Sequence, residues 1–178
     1  KKNKLDINNG NLNKKIRIGY YSGDFCNHPV SNLIANLFEN HDKSKFEIIG
    51  FYFGITTKDE MLKRITKAFD EFYDVSQKNE DEIASLSRNL KIDIAVDLMG
   101  FTEKNRFGIF TKNCAPIQIN YLGYPGTSGS NHIDYIIADK VLIPKESQKF
   151  YSEKIIYLPN TYQANDATKK ISSKIISK

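Results

Sequence analysis

IRIGYYSGDFCNHPVSNLIANLF, residues 16–38, is the stretch whose reading decides the fold. Residues 16–21 are β-branched and aromatic, the composition of a strand. Residues 22–28 bring Ser22, Gly23, Asp24 and Asn27 together, residue types that favour turns. From Pro29 onward Leu33, Ile34, Leu37 and Phe38 recur at helical spacing and share one face. A proline at the first helical position loses nothing, because the N–H there has no intrahelical partner. The unit is strand, loop, helix.

The same unit repeats along the chain. Residues 46–53 form a nearly continuous apolar run, as a strand covered on both faces requires. A charged helix follows at 59–69, a short strand at 72–75, and a helix at 80–90 with Ile83, Leu86 and Leu90 inward. Strands are then expected at 92–99, 117–122, 133–138 and 154–158, with a helix at 105–113 before the second of these. Alternating strands and helices predict the α/β class with a parallel sheet. Beyond Asp139 come Pro144 and Pro159, and residues 160–178 are polar with little periodicity.

Composition narrows the function classes. With 178 residues, 40% hydrophobic and 12% aromatic, the chain can bury the core of one domain. It has no apolar run long enough to span a membrane and no apolar stretch of the kind an export signal needs near its start, so it reads as soluble and not exported. Cys26 and Cys114 lack CxxC spacing and form no metal-like grouping with His28, His41 or His132, which points to reduced thiols in a cytoplasm and no metal site. The net charge of +5 comes from the ends: nine of the 26 basic residues and one of the 21 acidic ones lie in the tails, leaving 17 basic against 20 acidic between them. A slightly acidic body without an aromatic RNA-binding motif argues against nucleic acid as a partner.

In an open parallel sheet, ligands bind beyond the carboxyl ends of the strands. Three loops gather there, at 22–28, 100–103 and 123–129. His28 stands immediately before a helix, where a neutral imidazole can accept a proton or can simply cap the helix. Gly123, Gly126 and Gly129 with Pro125 make a loop whose backbone can approach a ligand closely, or a tight structural turn. Neither the dinucleotide fingerprint G-x-G-x-x-G after the first strand nor GxxxxGK[ST] is present, which weighs against an oxidoreductase lobe. Asp24 and Asp97, near strand ends, can act as or orient a base, or can cap neighbouring helices. His41 falls at a helix C-terminus and reads as structural; His132 carries no assigned role.

The ordered pieces IRIGYYSGDFCNHPVSNL, FEIIGFYFG, IDIAVDLMGFT, APIQINYLGYPGTSG, DYIIAD and YSEKIIYLPN resemble the N-terminal catalytic lobe of the O-GlcNAc transferase and SPINDLY-like glycosyltransferases over residues 15–166. The most specific pieces are NHPV and APIQxxxLGYPGTSG. The resemblance implies a Rossmann-like parallel sheet forming one lobe of a GT-B enzyme. It also implies inverting transfer of a sugar, GlcNAc from UDP-GlcNAc, to Ser/Thr hydroxyls of protein acceptors, with the donor held mainly by a C-terminal lobe and no cofactor. His28 corresponds to the family histidine proposed as base or substrate aligner. Asp24, Asn27, Asp97, Thr102, Tyr124, Pro125, Gly126 and Thr127 form the implied substrate-binding set. The domain reading is a lysine-rich linker at 1–14, the lobe at 15–165, and a connection at 166–178 toward an absent C-terminal lobe. Tetratricopeptide repeats, common before this lobe, are likewise absent from the sequence. Family members often carry His or Tyr where this chain has Phe101, so acid/base chemistry from that position is excluded. The alternative is a non-catalytic binding or scaffold domain of the same fold.

Overall fold

β1 (Ile16–Ser22) pairs in parallel on both sides, with β2 (Phe46–Tyr52) and β4 (Ile94–Asp97), in a computed structural model that describes residues 15–55 and 59–169. With β3 (Glu71–Asp74), β5 (Ile117–Asn120), β6 (Tyr135–Ala138) and β7 (Lys154–Tyr157), the sheet has the order β3-β2-β1-β4-β5-β6-β7, and every neighbouring pair is parallel. The chain builds outward from β1 to β3 and then returns to place β4 against the other side of β1. Strand order therefore reverses between β1 and β4, which opens a crevice at their carboxyl ends.

Alternation along the strands divides the core into two layers. Ile18 and Tyr20 of β1 and Ile48 and Tyr52 of β2 pack with Ile34 and Phe38 of α1 (Pro29–Glu39) and Ile65 of α2 (Glu60–Ala68). Tyr21, Ile49 and Phe51 point the other way, toward Ile83 and Ala84 of α3 (Glu80–Asn89) and Ile109 and Phe110 of α4 (Gly108–Thr111). In that second layer Tyr21 stacks on Phe51 at 4.4 Å, and its hydroxyl donates to Ser87 Oγ, which in turn donates to the Cys114 carbonyl. The buried hydroxyls thus have partners, as the apolar surroundings demand. Polar side chains start the helices: Asp59 accepts from Leu62 N at α2, and Asn79 with Glu82 forms a reciprocal capping box at α3.

Every expected strand and helix is present, with shifted bounds. The helix expected at 105–113 is a single turn, because the Asn105 side chain bonds Thr102 O and Phe107 N, and Asn113 has a φ of 51°. The strand expected from Ile92 starts later, since the Ile92 N–H donates to Ser87 O at the end of α3. A 3-10 helix, Lys145–Phe150, has no buried residue and left no apolar periodicity to read. The linker at 1–14 and the connection from 170 lie outside the described residues, but residues 166–169 are described, and Asp166 is buried against the lobe. Among the described residues, no helix is long and apolar enough to cross a membrane.

Candidate functional site

The loop after β1 is anchored from below. Phe25 is 1% exposed and meets the rings of Phe38, Phe69 and Phe72. The buried Ser22 hydroxyl receives Asp24 N and donates to Met99 Sδ at 3.5 Å, while Ser31 Oγ donates to the Asp24 carbonyl. With Phe25 held down, Asp24, Asn27 and His28 stay near the surface. His28 is the N-cap of α1: its Nδ1 lies 3.4 Å from Val30 N and 3.5 Å from Asp24 Oδ2. A neutral ring uses that nitrogen to accept from Val30, and a protonated one donates it to Asp24. Nε2 has no hydrogen-bond partner among the described residues, and the side chain is 41% exposed. Burial pushes the Asp24 carboxyl up, and His28 and Lys104 draw it partly back. Asn27 is exposed; its N–H is held by Asp59 Oδ2 at 3.1 Å.

The loop after β4 is built on Asp97. That side chain is 2% exposed, and its Oδ1 accepts from Met99 N at 2.9 Å, with a further bond from Gly100 N. Burial pushes its carboxyl up to about 6, even though the two N–H groups act in the opposite direction. Asp97 therefore shapes the loop from inside and does not line a surface a substrate can reach. Thr102 Oγ1 likewise donates inward, to Met99 O at 3.0 Å. Phe101, 46% exposed, has its ring centre 4.9 Å from Phe107 and 6.0 Å from Tyr124.

The loop after β5 rests directly on this one. A Cβ on Gly123 would sit 2.0 Å from the Leu98 carbonyl oxygen, so only glycine lets the two backbones touch. Gly100, at φ +56°, leaves just enough room for Tyr124 Cβ, which would be 2.6 Å from an added Cβ. Asn120 Nδ2 holds the Tyr124 carbonyl at 3.0 Å, and Tyr151 OH donates to the Pro125 carbonyl at 3.1 Å. Thr127 is turned away from solvent chemistry. Its hydroxyl donates to Glu153 Oε2 at 2.7 Å and accepts from Gly129 N at 3.0 Å and Ser152 N at 3.2 Å, which uses the full bonding capacity of a hydroxyl.

Sequence reasoning placed nine residues at the site, and the structure sorts them. Asp24, Asn27 and His28 share one loop; Tyr124, Pro125 and Gly126 share another; the β4 loop lies between and contacts both through Met99, Gly100 and Phe101. No hydrogen bond joins the first loop to the β5 loop among the described residues. Asp97, Thr102 and Thr127, expected from sequence as substrate ligands, turn their polar groups inward onto the loops themselves. Two groups were missed. Glu153, 4% exposed, bonds Thr127 and both the N–H and the hydroxyl of Ser128; a lone glutamate ahead of a strand gives no signal in sequence. Cys26, Tyr52 and Lys104, with Asp24 and Met99, wall a cavity of about 570 Å³ beyond β1 and β2, which His28 does not line. Among the described residues, no group of three or more His, Cys, Asp or Glu could hold a metal ion.

A family model described as Glycosyl transferase family 41 matches residues 2–177. A probable UDP-N-acetylglucosamine–peptide N-acetylglucosaminyltransferase, SEC, of Arabidopsis thaliana is 38% identical over 157 residues, which cover 88% of this chain and 16% of that protein. The UDP-N-acetylglucosamine–peptide N-acetylglucosaminyltransferase of Caenorhabditis elegans is 33% identical over 168 residues, 92% of this chain and 14% of that one. The solved structure of an O-GlcNAc transferase mutant from Thermobaculum terrenum is similar with a TM-score of 0.81 and 30% identity, over 85% of this chain and 29% of the other. The chain thus spans only a small part of the length of each relative. Matched by the family model over almost its entire length, the chain belongs to glycosyl transferase family 41.

Proposed function

We propose that this chain is the N-terminal lobe of an inverting GT-B glycosyltransferase that moves a sugar, GlcNAc from UDP-GlcNAc, onto Ser/Thr hydroxyls of proteins. The observation that carries the reading is that, in a family 41 chain, the two most specific motifs, NHPV and LGYPGTSG, end up in loops at the carboxyl ends of β1 and β5, on either side of the β4 loop. The relatives' names supply the donor and the acceptor class. In this reading the UDP moiety is held mainly by a second lobe, and no cofactor takes part. Free Cys26 and Cys114 fit a cytoplasmic setting.

In the transfer the acceptor oxygen forms a bond to the anomeric carbon as the bond to the diphosphate oxygen breaks, and the hydroxyl proton must leave. His28 is suited to meet that hydroxyl. Nδ1 is committed to Val30 N or Asp24, which fixes the ring and directs Nε2 outward as the group available to align the hydroxyl or take its proton. Tyr124, Pro125 and Gly126 present the opposite wall to the sugar, with the Tyr124 and Gly126 N–H groups as the backbone donors, since Pro125 has none. Phe101 adds apolar surface and no proton.

The test uses the complete protein that carries this chain. His28→Ala lowers kcat for GlcNAc transfer to a protein acceptor by about 100-fold or more while the unfolding midpoint stays within a few degrees. Unchanged turnover removes His28 from the site. Titration of UDP and UDP-GlcNAc followed by calorimetry adds a second check: binding to the complete protein, and none to residues 15–169 alone, is the expected pair of results.

A further inference from the structure

We infer that Glu153 is a positioning residue for sugar transfer: with Tyr151 and Ser152 it holds the Pro125–Ser128 backbone in the shape that meets the sugar. This rests on the reading above, in which that loop faces the transferred sugar. The loop needs such a hold. It has no regular secondary structure, and it contains two residues with positive φ, Leu122 at 71° and Gly129 at 61°. Its inner side is fixed by Asn120 and by the Gly123 contact with Leu98 O. Among the described residues, its outer side is fixed only by hydrogen bonds with residues 151–153. Tyr151 OH takes the Pro125 carbonyl, Ser152 N takes Thr127 Oγ1, and Glu153 takes Thr127 Oγ1 and Ser128 N, each at 2.7 Å, together with the Ser128 hydroxyl.

The choice of a carboxylate is informative. Glu153 is 4% exposed and has no ion-pair partner among the described residues, so its charge is compensated by the loop hydroxyls and by backbone N–H groups, that of Ser128 and its own. Burial by itself would push this carboxyl up, and the bonds from Ser128 and Thr127 outweigh it and hold the group below the ordinary value. A turn can be closed by neutral groups at lower desolvation cost. An acceptor-only group at this place instead orients three donors at once, and two of the three are hydroxyls that are free to rotate without it. The position of the Thr127 backbone therefore depends on a residue 26 positions away, outside the glycine motif.

The test compares variants of the complete protein. Glu153→Gln keeps the size but turns one acceptor into a donor; Thr127→Val keeps the shape and removes the hydroxyl; Thr127→Ser restores it. The expected result is a fall in kcat for GlcNAc transfer of about 10- to 100-fold in Glu153→Gln and Thr127→Val, recovery in Thr127→Ser, and UDP affinity within about twofold of wild type in all three. Thr127→Val serves if Glu153→Gln does not fold. Unchanged kcat in the folded variants overturns the inference, as does a parallel loss of UDP binding, which marks a general structural role. His28→Ala, run alongside, separates the failures: if it too leaves transfer unchanged, the functional reading is wrong, and if it alone abolishes transfer, only the positioning role is.

Discussion

At the end of β4 the Asp97 side chain is 2% exposed and spends its oxygens on the N–H groups of Met99 and Gly100. Its carboxyl is pushed up to about 6 by burial, against an ordinary value of 3.8. Between those two values the folded chain holds a proton that the unfolded chain has released. The contribution of Asp97 to stability is therefore complete below about pH 4 and is lost as pH rises through 6. Asp97→Asn removes that dependence. Thermal unfolding across pH 4 to 7 should show the variant gaining on the wild type by about 3 kcal/mol over this interval. A constant difference between the two would mean that the carboxyl ionises normally in the fold. The same residue shows what sequence reveals at this scale. An aspartate at a strand end was legible as either a site group or a helix cap, and it is neither: buried, it folds the β4 loop back on the N–H groups of Met99 and Gly100. His28 was legible as a cap because the sequence shows a histidine directly before a helix that opens on Pro29. Glu153 was not, because its partners Thr127 and Ser128 lie on a different loop.

The elements are held in register at the opposite end of the sheet by one side chain. Arg17 of β1 lies beside Glu47 of β2, and its Nη2 reaches Glu47 Oε1 at 3.1 Å and Glu71 Oε1 of β3 at 2.6 Å. Its Nη1 donates to the Leu90 carbonyl at the C-terminal end of α3, at 2.5 Å, and its own backbone N–H donates to Asp93 Oδ2. A single guanidinium therefore joins three strands and a helix end. The planar fork allows this, and a lysine ammonium at the same place cannot span the set. Arg17→Met leaves two neighbouring carboxylates without a cation. Because these are partly exposed, the expected loss is about 1–3 kcal/mol in urea unfolding. Adding Glu71→Gln to Arg17→Met should return part of that loss, since it removes the repulsion; strictly additive effects would show that the two side chains do not interact. The identity of every strand and α-helix was legible from periodicity and composition; that of the 3-10 helix Lys145–Phe150, which buries nothing, was not. Element length was less legible wherever other groups compete for the backbone, as the Asn105 side chain does before α4 and the Ser87 carbonyl does for Ile92 N–H.

Across the whole molecule, the crevice that carries the site separates two halves of the sheet, β1–β3 with α1 and α2 on one side and β4–β7 on the other. The segment after β7 ties them together. Tyr162 N–H donates to Asp139 Oδ2 after β6, and Tyr121 OH donates to the Tyr162 carbonyl after β5. Farther along, Ala167 N–H reaches Asn36 of α1, and Asp166 takes both ends of the Arg64 guanidinium of α2 at 2.6 and 3.2 Å. Arg64 also holds Glu39 of α1, so α1, α2 and the segment meet at one cation. Nothing in the polar sequence after Pro159 announced this, because the docking rests on a few polar contacts and on Tyr162 and Ala164, without a periodic apolar face. The Arg64 bonds hold the Asp166 carboxyl well below its ordinary value despite burial. Its contribution is therefore present at neutral pH and lost only as the solution becomes strongly acidic. Arg64→Ala should release the segment locally. Amide exchange at 160–169 is expected to rise by about tenfold or more at pH 7, while amides of Ala95 and Val96 in β4 keep their protection. Wild type at pH 5 should retain the slow exchange, since Asp166 is still ionised there. Equal acceleration in β4 would show instead that the segment and the sheet open as one unit.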